Sequence, residues 1–204
     1  MNKITKVACM LVSTFSLSAC GESDPDIVKI QDTQPGFMMG KTYKEGFEAW
    51  RVCDSVKWEK VPDDVTAMFK GQEVIRATCD VANVSDYNQQ LKTALLKVIE
   101  NTEDSVKKAH EKELTDKVSS IKSIKLSLYF RLPTGQKPQP YIYANRYEWK
   151  DGKTGLLTVR PQAIVRDMEN QRTNFTELTF GTKTINSSQA RSMATLFSSM
   201  RKDN

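Results

Sequence analysis

The sequence is poor in the side chains that most often carry catalysis and metal binding. Histidine occurs once, at His110, and there are only four cysteines in 204 residues. Cys53 and Cys79 lack the close spacing of zinc ligands, and His110 is the only histidine that could complete a zinc site with them. A serine–histidine–aspartate triad would need His110, which falls in a charged stretch with no serine-elbow motif nearby. We therefore expect no metal, no cofactor and no enzymatic activity.

The sequence also lacks clusters of one charge. The formal net charge is +5 and the pI is about 8.9, but lysines and arginines alternate with acidic residues along the chain. Nucleic-acid binding proteins concentrate their basic residues instead, so we expect no nucleic-acid partner. A mildly basic protein is weakly attracted to anionic surfaces such as phospholipid head groups.

No apolar run is long enough for a permanent membrane helix. The most apolar stretch, residues 7–17, is shorter than the roughly 20 residues that span a bilayer core. It follows Lys3 and Lys6 and precedes the small residues Ser18 and Ala19. A short basic region, an apolar stretch and small residues are typical of a secretory signal, which we assign to residues 1–19.

The last signal residues and the following cysteine, Leu17-Ser18-Ala19-Cys20, resemble the lipobox of bacterial lipoproteins at every position. The resemblance covers only this segment. It implies that the chain is cut before Cys20, that the Cys20 thiol carries diacylglycerol and that the new amino group is acylated, for example with palmitate. Two or more acyl chains hold a protein stably on a membrane.

The same resemblance implies a location. In enteric lipoproteins an aspartate after the lipidated cysteine favours retention in the inner membrane, and the residue here is Gly21. We therefore expect a lipid anchor in the outer membrane, with the protein facing the periplasm. Residues 20–36 are polar at first and contain prolines, so they predict a lipidated flexible tether. Residues 37–204 then form a single globular domain.

Cysteine usage fits an oxidising compartment. Cys9 would leave with the signal and Cys20 would be lipidated, so only Cys53 and Cys79 remain. Two remaining thiols in an exported chain predict one disulfide bond. Such a bond would close a loop of about 27 residues and contribute about 3–4 kcal/mol by the loop-entropy argument.

Hydrophobic periodicity predicts an α+β fold. Thr42 and Glu45 form a capping box that begins a helix over 43–53. A long stripe predicts one helix over 85–117, and Ser187 or Ser188 begins a C-terminal helix. The predicted strands are a short edge strand at 27–30, a strand around Val56 and Trp58, and strands at 73–82, 124–132, 141–149, 156–165 and 175–180. Asp151-Gly152 predicts a tight hairpin, and Pro161 a bulge or edge position. We expect an antiparallel sheet packed against the long helix and the C-terminal helix.

One strand carries the only sharp binding hypothesis. Tyr141, Tyr143, Tyr147 and Trp149 alternate, so they should share one face. If that face is exposed, it is a platform for sugar rings or an anchor patch for a protein partner. If it faces the helices, it is core, which burial preferences favour.

Paired carboxylates are the one catalytic option that composition leaves open, because cleavage of glycans needs only two suitably placed acids. Asp63, Asp64, Glu148 and Asp151 are candidates, although turn formation and solvation explain them more simply. The leading hypothesis is a membrane-anchored, non-enzymatic protein whose domain binds another envelope protein. The alternative is an envelope protein that binds or cleaves peptidoglycan or another glycan.

Overall fold

The structure, a computed structural model, describes residues 24–36, 38, 40–100, 102–131, 135, 137–169 and 172–202. A five-stranded sheet organises it, and all neighbouring strands are antiparallel. The strands lie side by side in chain order: β1 (Cys53–Pro62), β2 (Glu73–Val81), β3 (Ile121–Arg131), β4 (Pro140–Trp149) and β5 (Thr154–Val159). The predicted strands at 73–82, 124–132 and 141–149 are confirmed. The Asp151-Gly152 turn joins β4 to β5 as expected, with Gly152 at a φ of 82°.

The helices of the described chain pack on one face of this sheet. They are α1 (Pro25–Gln31), α2 (Tyr43–Glu48), α3 (Val84–Glu100), α4 (Ser105–Val118), α5 (Pro161–Glu169), α6 (Phe175–Phe180) and α7 (Ser187–Met200). Each contributes at least one side chain to a large hydrophobic cluster with inward strand residues such as Cys79, Leu126 and Leu128. The predicted α+β class, with α3 and the C-terminal α7 against an antiparallel sheet, is confirmed. None of the described helices is both long and apolar enough to cross a membrane.

The predicted single helix over 85–117 is wrong, because the chain forms two helices there. α3 ends at Glu100 and α4 begins at Ser105, with Asp104 as its N-cap. The Asp104 side chain accepts hydrogen bonds from the backbone N–H groups of Val106 and Lys107 at 2.9 and 3.0 Å. A capped second helix lets the chain reverse and lie beside α3, so the apolar stripe is split between two helices.

Of two predicted strands near the C-terminus, the one at 156–165 is confirmed only as far as Val159, and the one at 175–180 is wrong. β5 stops at Val159, and Pro161 begins α5 instead of interrupting a strand. Proline fits the first turn of a helix, where its missing N–H would have no helical partner. Residues 175–180 form α6, since the Asn174 side chain caps the Glu177 N–H at 2.9 Å and Gly181 ends the helix at a φ of 70°. The cap of α7 is Asn186, one residue before the predicted serines.

The first described residues are folded. Residues 27–30, predicted as an edge strand, belong to α1, and Ile30 is fully buried in the core. The predicted flexible tether over 20–36 is therefore wrong for residues 25–31. Asp24 caps the helix and Pro25 fills its first position. Residues 20–23, including Cys20, lie outside the described residues, as does the signal segment.

The α2 helix is shorter than the predicted 43–53, although its Thr42 and Glu45 capping box is present. It ends at Glu48 with Ala49 as its C-cap, and Cys53 is the first residue of β1 instead of the last of the helix. The predicted disulfide is confirmed: Cys53 and Cys79 are bonded across β1 and β2, with their Cα atoms 5.3 Å apart. Cys79 is fully buried on the helix-covered side.

Candidate interaction surface

The second face of the sheet is covered by no described helix, and we call it the open face. Its long outward side chains surround a row of small ones, Thr78, Ser127 and Ala144, which are paired across β2, β3 and β4. The Thr78 and Ser127 hydroxyls lie 3.2 Å apart in a shared hydrogen bond. The charged residues of the open face, counting the loop that folds over one end, are Lys57, Glu59, Asp63, Asp64, Lys70, Arg76, Asp80, Lys122, Lys125, Arg131, Arg146 and Glu148.

Ion pairs link these charges across neighbouring strands. Arg76 on β2 contacts the Glu59 carboxylate on β1 at 2.8 Å. Arg146 on β4 contacts Asp64 at 2.6 Å and donates to the Tyr129 hydroxyl at 2.9 Å. Arg76 and Arg146 each contact more than one polar group, so their side chains are held in place more firmly than those of an isolated surface ion pair. An isolated surface pair contributes little to stability. The open face is therefore an ordered charged surface.

Loop 63–72, between β1 and β2, folds over one end of the open face and is held there by Asp63. This carboxylate is buried and accepts hydrogen bonds from the Val65 and Thr66 backbone N–H groups at 2.8 and 3.0 Å. It also accepts from the Tyr141 hydroxyl at 2.7 Å. Burial raises the pKa of Asp63, but hydrogen bonds from Thr66, Val65 and Tyr141 outweigh it, and the pKa lies below its ordinary value.

The same loop presents apolar and basic side chains at its tip. The Arg131 guanidinium lies 3.7 Å from the centre of the Phe69 ring, and the Phe69 and Tyr141 rings meet edge to face at 5.5 Å. Such cation–aromatic stacking fixes both partners. Met68 points outward beside this stack and is 79% exposed.

A groove lies at the opposite end of the open face, along the edge strand β5. It encloses about 750 Å³, within the range of ligand sites, but it is open to solvent. Lys125, Arg146 and Lys202 line it together with the partly exposed Leu156. We call it the β5 groove.

The structure separates the four aromatic candidates. Tyr143, Tyr147 and Trp149 are buried against the helices, so for these three the core alternative is correct. The Trp149 indole N–H donates to the Val118 carbonyl at 3.2 Å. Tyr141 departs from the predicted common face and packs with the open-face residues. The reason is a register shift, since Tyr129 pairs with Ile142 but Phe130 pairs with Pro140, which leaves Tyr141 as an extra residue.

The carboxylate candidates are engaged in structural contacts. Glu148 pairs with Lys122 at 2.6 Å, and Asp151 pairs with Arg201. The hydrogen bond from Lys122 lowers the pKa of Glu148. Burial raises the pKa of Asp151, but the hydrogen bonds from Arg201 and from the Lys153 backbone N–H, with the charges of both residues, outweigh it, and the pKa lies below its ordinary value. Asp64 is bound by Arg146 and Tyr129. A general acid for glycan cleavage needs a raised pKa, which is the opposite of what Asp63, Glu148 and Asp151 show.

His110 lies exposed on α4. Within the described ranges, no three acidic, histidine or cysteine side chains are grouped so that they could hold a metal ion.

Sequence reasoning missed most of the open face. The alternation of apolar and polar residues along 73–82 predicts that Arg76, Thr78 and Asp80 share the polar side of this strand. The same pattern carries no information on the contact between Arg146 and the 63–72 loop. That contact joins residues 82 positions apart. The one available signal was the pair of adjacent aspartates, Asp63 and Asp64, which is unusual in a short strand connection.

Comparisons of the chain with protein families, with curated proteins and with solved structures find no match.

Proposed function

We propose that this chain is a lipid-anchored bacterial envelope protein whose periplasm-facing domain binds another protein and has no enzymatic role. The lipobox at 17–20 carries the proposal, because position, flanks and cysteine all agree with a lipoprotein signal. The Cys53–Cys79 disulfide supports it independently, since structural disulfides are characteristic of oxidising compartments outside the cytoplasm. The membrane we propose is the outer one, on the basis of Gly21.

The open face is the surface that we assign to the partner. Its arginines and hydroxyls are held in fixed positions, and arginine is enriched where proteins bind one another. It carries seven cationic and five anionic side chains, a net charge of +2. A partner protein whose surface carries net negative charge fits this net positive face. Complementary electrostatic potentials speed association and disfavour binding to other proteins.

A glycan-binding role has less support. Sugar recognition would need exposed aromatic rings, and three of the four candidates on β4 are core residues. The fourth, Tyr141, is half-buried and its hydroxyl is bound to Asp63.

Site-specific photo-crosslinking tests the assigned surface. A photo-reactive residue at Leu156, on the open side of β5, should crosslink to a defined protein, which mass spectrometry identifies. The matched control is Val106, which is 77% exposed on α4 on the helix side. Lys125→Glu should reduce the crosslink at Leu156, whereas Lys112→Glu on α4 should leave it unchanged. Equal crosslinking at Leu156 and Val106, or no effect of Lys125→Glu, would contradict the assignment.

Labelling cells with a palmitate analogue tests the anchor separately. The wild-type protein should incorporate the label and sediment with membranes, and Cys20→Ser should do neither. Label on the Cys20→Ser protein would show that another residue is acylated and would refute the lipobox assignment.

A further inference from the structure

The position of α1 relative to the sheet has a geometric consequence for an anchored chain. The carboxylate of Asp24, the cap of α1, forms an ion pair with the Lys60 ammonium at 2.8 Å, and the Asp26 carboxylate contacts the same ammonium at 3.0 Å. Lys60 is the third residue from the end of β1, which closes at Pro62. The described part of the chain therefore begins beside the end of the sheet where β1 finishes and loop 63–72 begins. We call this the loop end.

Very little chain separates the loop end from the proposed lipid. Four peptide steps join Cys20 to Asp24, and even fully extended they reach only about 14 Å. A domain of this size has a radius of gyration of about 16 Å. The tether is therefore shorter than the distance from one end of the domain to the other, and the domain cannot turn its far end toward the bilayer.

The loop end carries side chains suited to a phospholipid surface. Among the large hydrophobic residues that the structure describes, Met68 is the most exposed, and Phe69 beside it is stacked on Arg131. Lys70, Arg131 and Lys137 are exposed there. The acidic groups at this end are Glu73, which is exposed, and four carboxylates that have partners: Asp24 and Asp26 pair with Lys60, Asp63 accepts from Tyr141, and Asp64 pairs with Arg146. Lysines and arginines near the surface of an anionic leaflet are attracted to it.

The 63–72 loop is also rigid enough to act as a contact. The Gly71 N–H donates to the Asp63 carbonyl at 2.9 Å, and the Asp63 N–H donates to the Gln72 carbonyl at 2.8 Å. Together with the side-chain bonds of Asp63 and Asp64, these bonds fix the loop before any contact with lipid, so little conformational freedom is lost on binding.

We propose that the loop end lies against the leaflet that holds the acylated Cys20, with Met68 in contact with phospholipid and the Asp151-Gly152 hairpin pointing into the periplasm. The proposal rests on the acylation of Cys20 put forward above. It also sets the direction of the open face, which then stands on edge to the membrane and meets partners that approach along the bilayer.

Depth-dependent quenching in vesicles tests this orientation. The acylated full chain is reconstituted into vesicles of phosphatidylethanolamine and phosphatidylglycerol, with an environment-sensitive fluorophore on Met68→Cys. The control carries the same fluorophore on Lys150→Cys, at the other end of the sheet. Pro140 and Trp149 on β4 are nine residue steps apart, so the two labels are separated by about 30 Å. Both positions are exposed, so neither substitution disturbs the core.

The Met68 label should shift its emission to shorter wavelength and lose most of its intensity when nitroxide lipids are included, and the Lys150 label should do neither. Inserting a Gly/Ser segment of ten residues before Asp24 should weaken the quenching at Met68. Mass spectrometry of the same samples reports acylation. If Cys20 is acylated and the two labels behave alike, the orientation is wrong while the anchor stands. If Cys20 carries no acyl chain, the anchor and the orientation are both refuted.

Discussion

At the scale of single residues, the disulfide is the contact with the largest expected effect on stability. Cys53 and Cys79 join adjacent strands and are separated by 26 residues in sequence. Replacing both with alanine should lower the free energy of unfolding by about 3–4 kcal/mol, because the unfolded chain regains loop entropy. Urea unfolding of the oxidised protein, the reduced protein and the double variant measures this. If reduction and substitution left the midpoint unchanged, the bond would have no structural role.

Asp63 gives a prediction that depends on pH. Its pKa is lower in the folded state than the ordinary 3.8, so the folded form binds protons less readily than the unfolded form. Stability from this group is therefore complete above pH 4 and is lost as the pH falls through the folded-state pKa. Asp63→Asn should lower the free energy of unfolding at pH 7 by about 1–3 kcal/mol. The asparagine amide has one accepting oxygen in place of two, so some of the N–H and O–H groups that now donate to the Asp63 carboxylate would lose their acceptor.

Urea unfolding of Asp63→Asn and of the wild type at pH 7 and pH 3 measures the loss of stability and its dependence on pH. The difference in free energy of unfolding between the two proteins should be smaller at pH 3. The control is Asp116→Asn, whose exposed pair with Lys92 should contribute less than about 1 kcal/mol. A gap that widened at pH 3 would contradict the assigned role of the Asp63 carboxylate.

At the scale of secondary structure elements, the join between α3 and α4 depends on one cap. Asp104→Ala removes the acceptor for two backbone N–H groups and should cost about 1 kcal/mol. Thermal unfolding followed by circular dichroism measures the loss. Asp104→Asn, which keeps a capping oxygen, should retain most of the stability. Equal losses in both variants would mean that the cap is not what begins α4.

The contact between β5 and α7 depends on the absence of a side chain at Gly155. A Cβ atom there would lie 3.0 Å from the Trp149 ring and 3.1 Å from Met200. Trp149 is fully buried and cannot move aside without disturbing the packing beneath α7. Gly155→Ala should therefore destabilise by about 1–3 kcal/mol in urea unfolding, while Thr158→Ala on the exposed side of the same strand should have little effect.

The strands could be predicted from sequence where one side chain in two is apolar. β2, β3 and β4 have this pattern because each has one face against the helices and one toward the open face. The α3–α4 break is missed because apolar residues at helical spacing resume at Val106 after the polar residues 100–105, so the pattern predicts one continuous helix. Asp104 in that polar segment is the N-cap of α4. The apolar residues Phe175, Leu178 and Phe180 predict a strand over 175–180, but Asn174 and Gly181 cap this segment as a helix.

The candidate site was much less predictable than the fold. Cys53 and Cys79 could be paired from sequence because the lipobox resemblance assigns Cys9 to the signal and Cys20 to the lipid, which leaves two thiols. The open face could not be predicted from sequence. It depends on the ion pair between Arg146 and Asp64 and on the register shift that places the Tyr141 side chain on the open face. Both are properties of the assembled sheet.

At the scale of the whole molecule, the proposed anchor and the fold constrain one another. Only four peptide steps join Cys20 to Asp24, the cap of α1, so acylation at Cys20 would determine which end of the sheet faces the membrane. Under this proposal the open face would be presented to proteins of the same envelope, and the Cys53–Cys79 disulfide would join β1 to β2 in an oxidising space.

The most direct measurement is the mass of the N-terminal peptide of the protein purified from its membrane. Residues 1–19 should be absent, and Cys20 should carry diacylglycerol on sulfur and an acyl group on nitrogen. A peptide that still begins at Met1, or one that begins at an unmodified Cys20, would contradict the account.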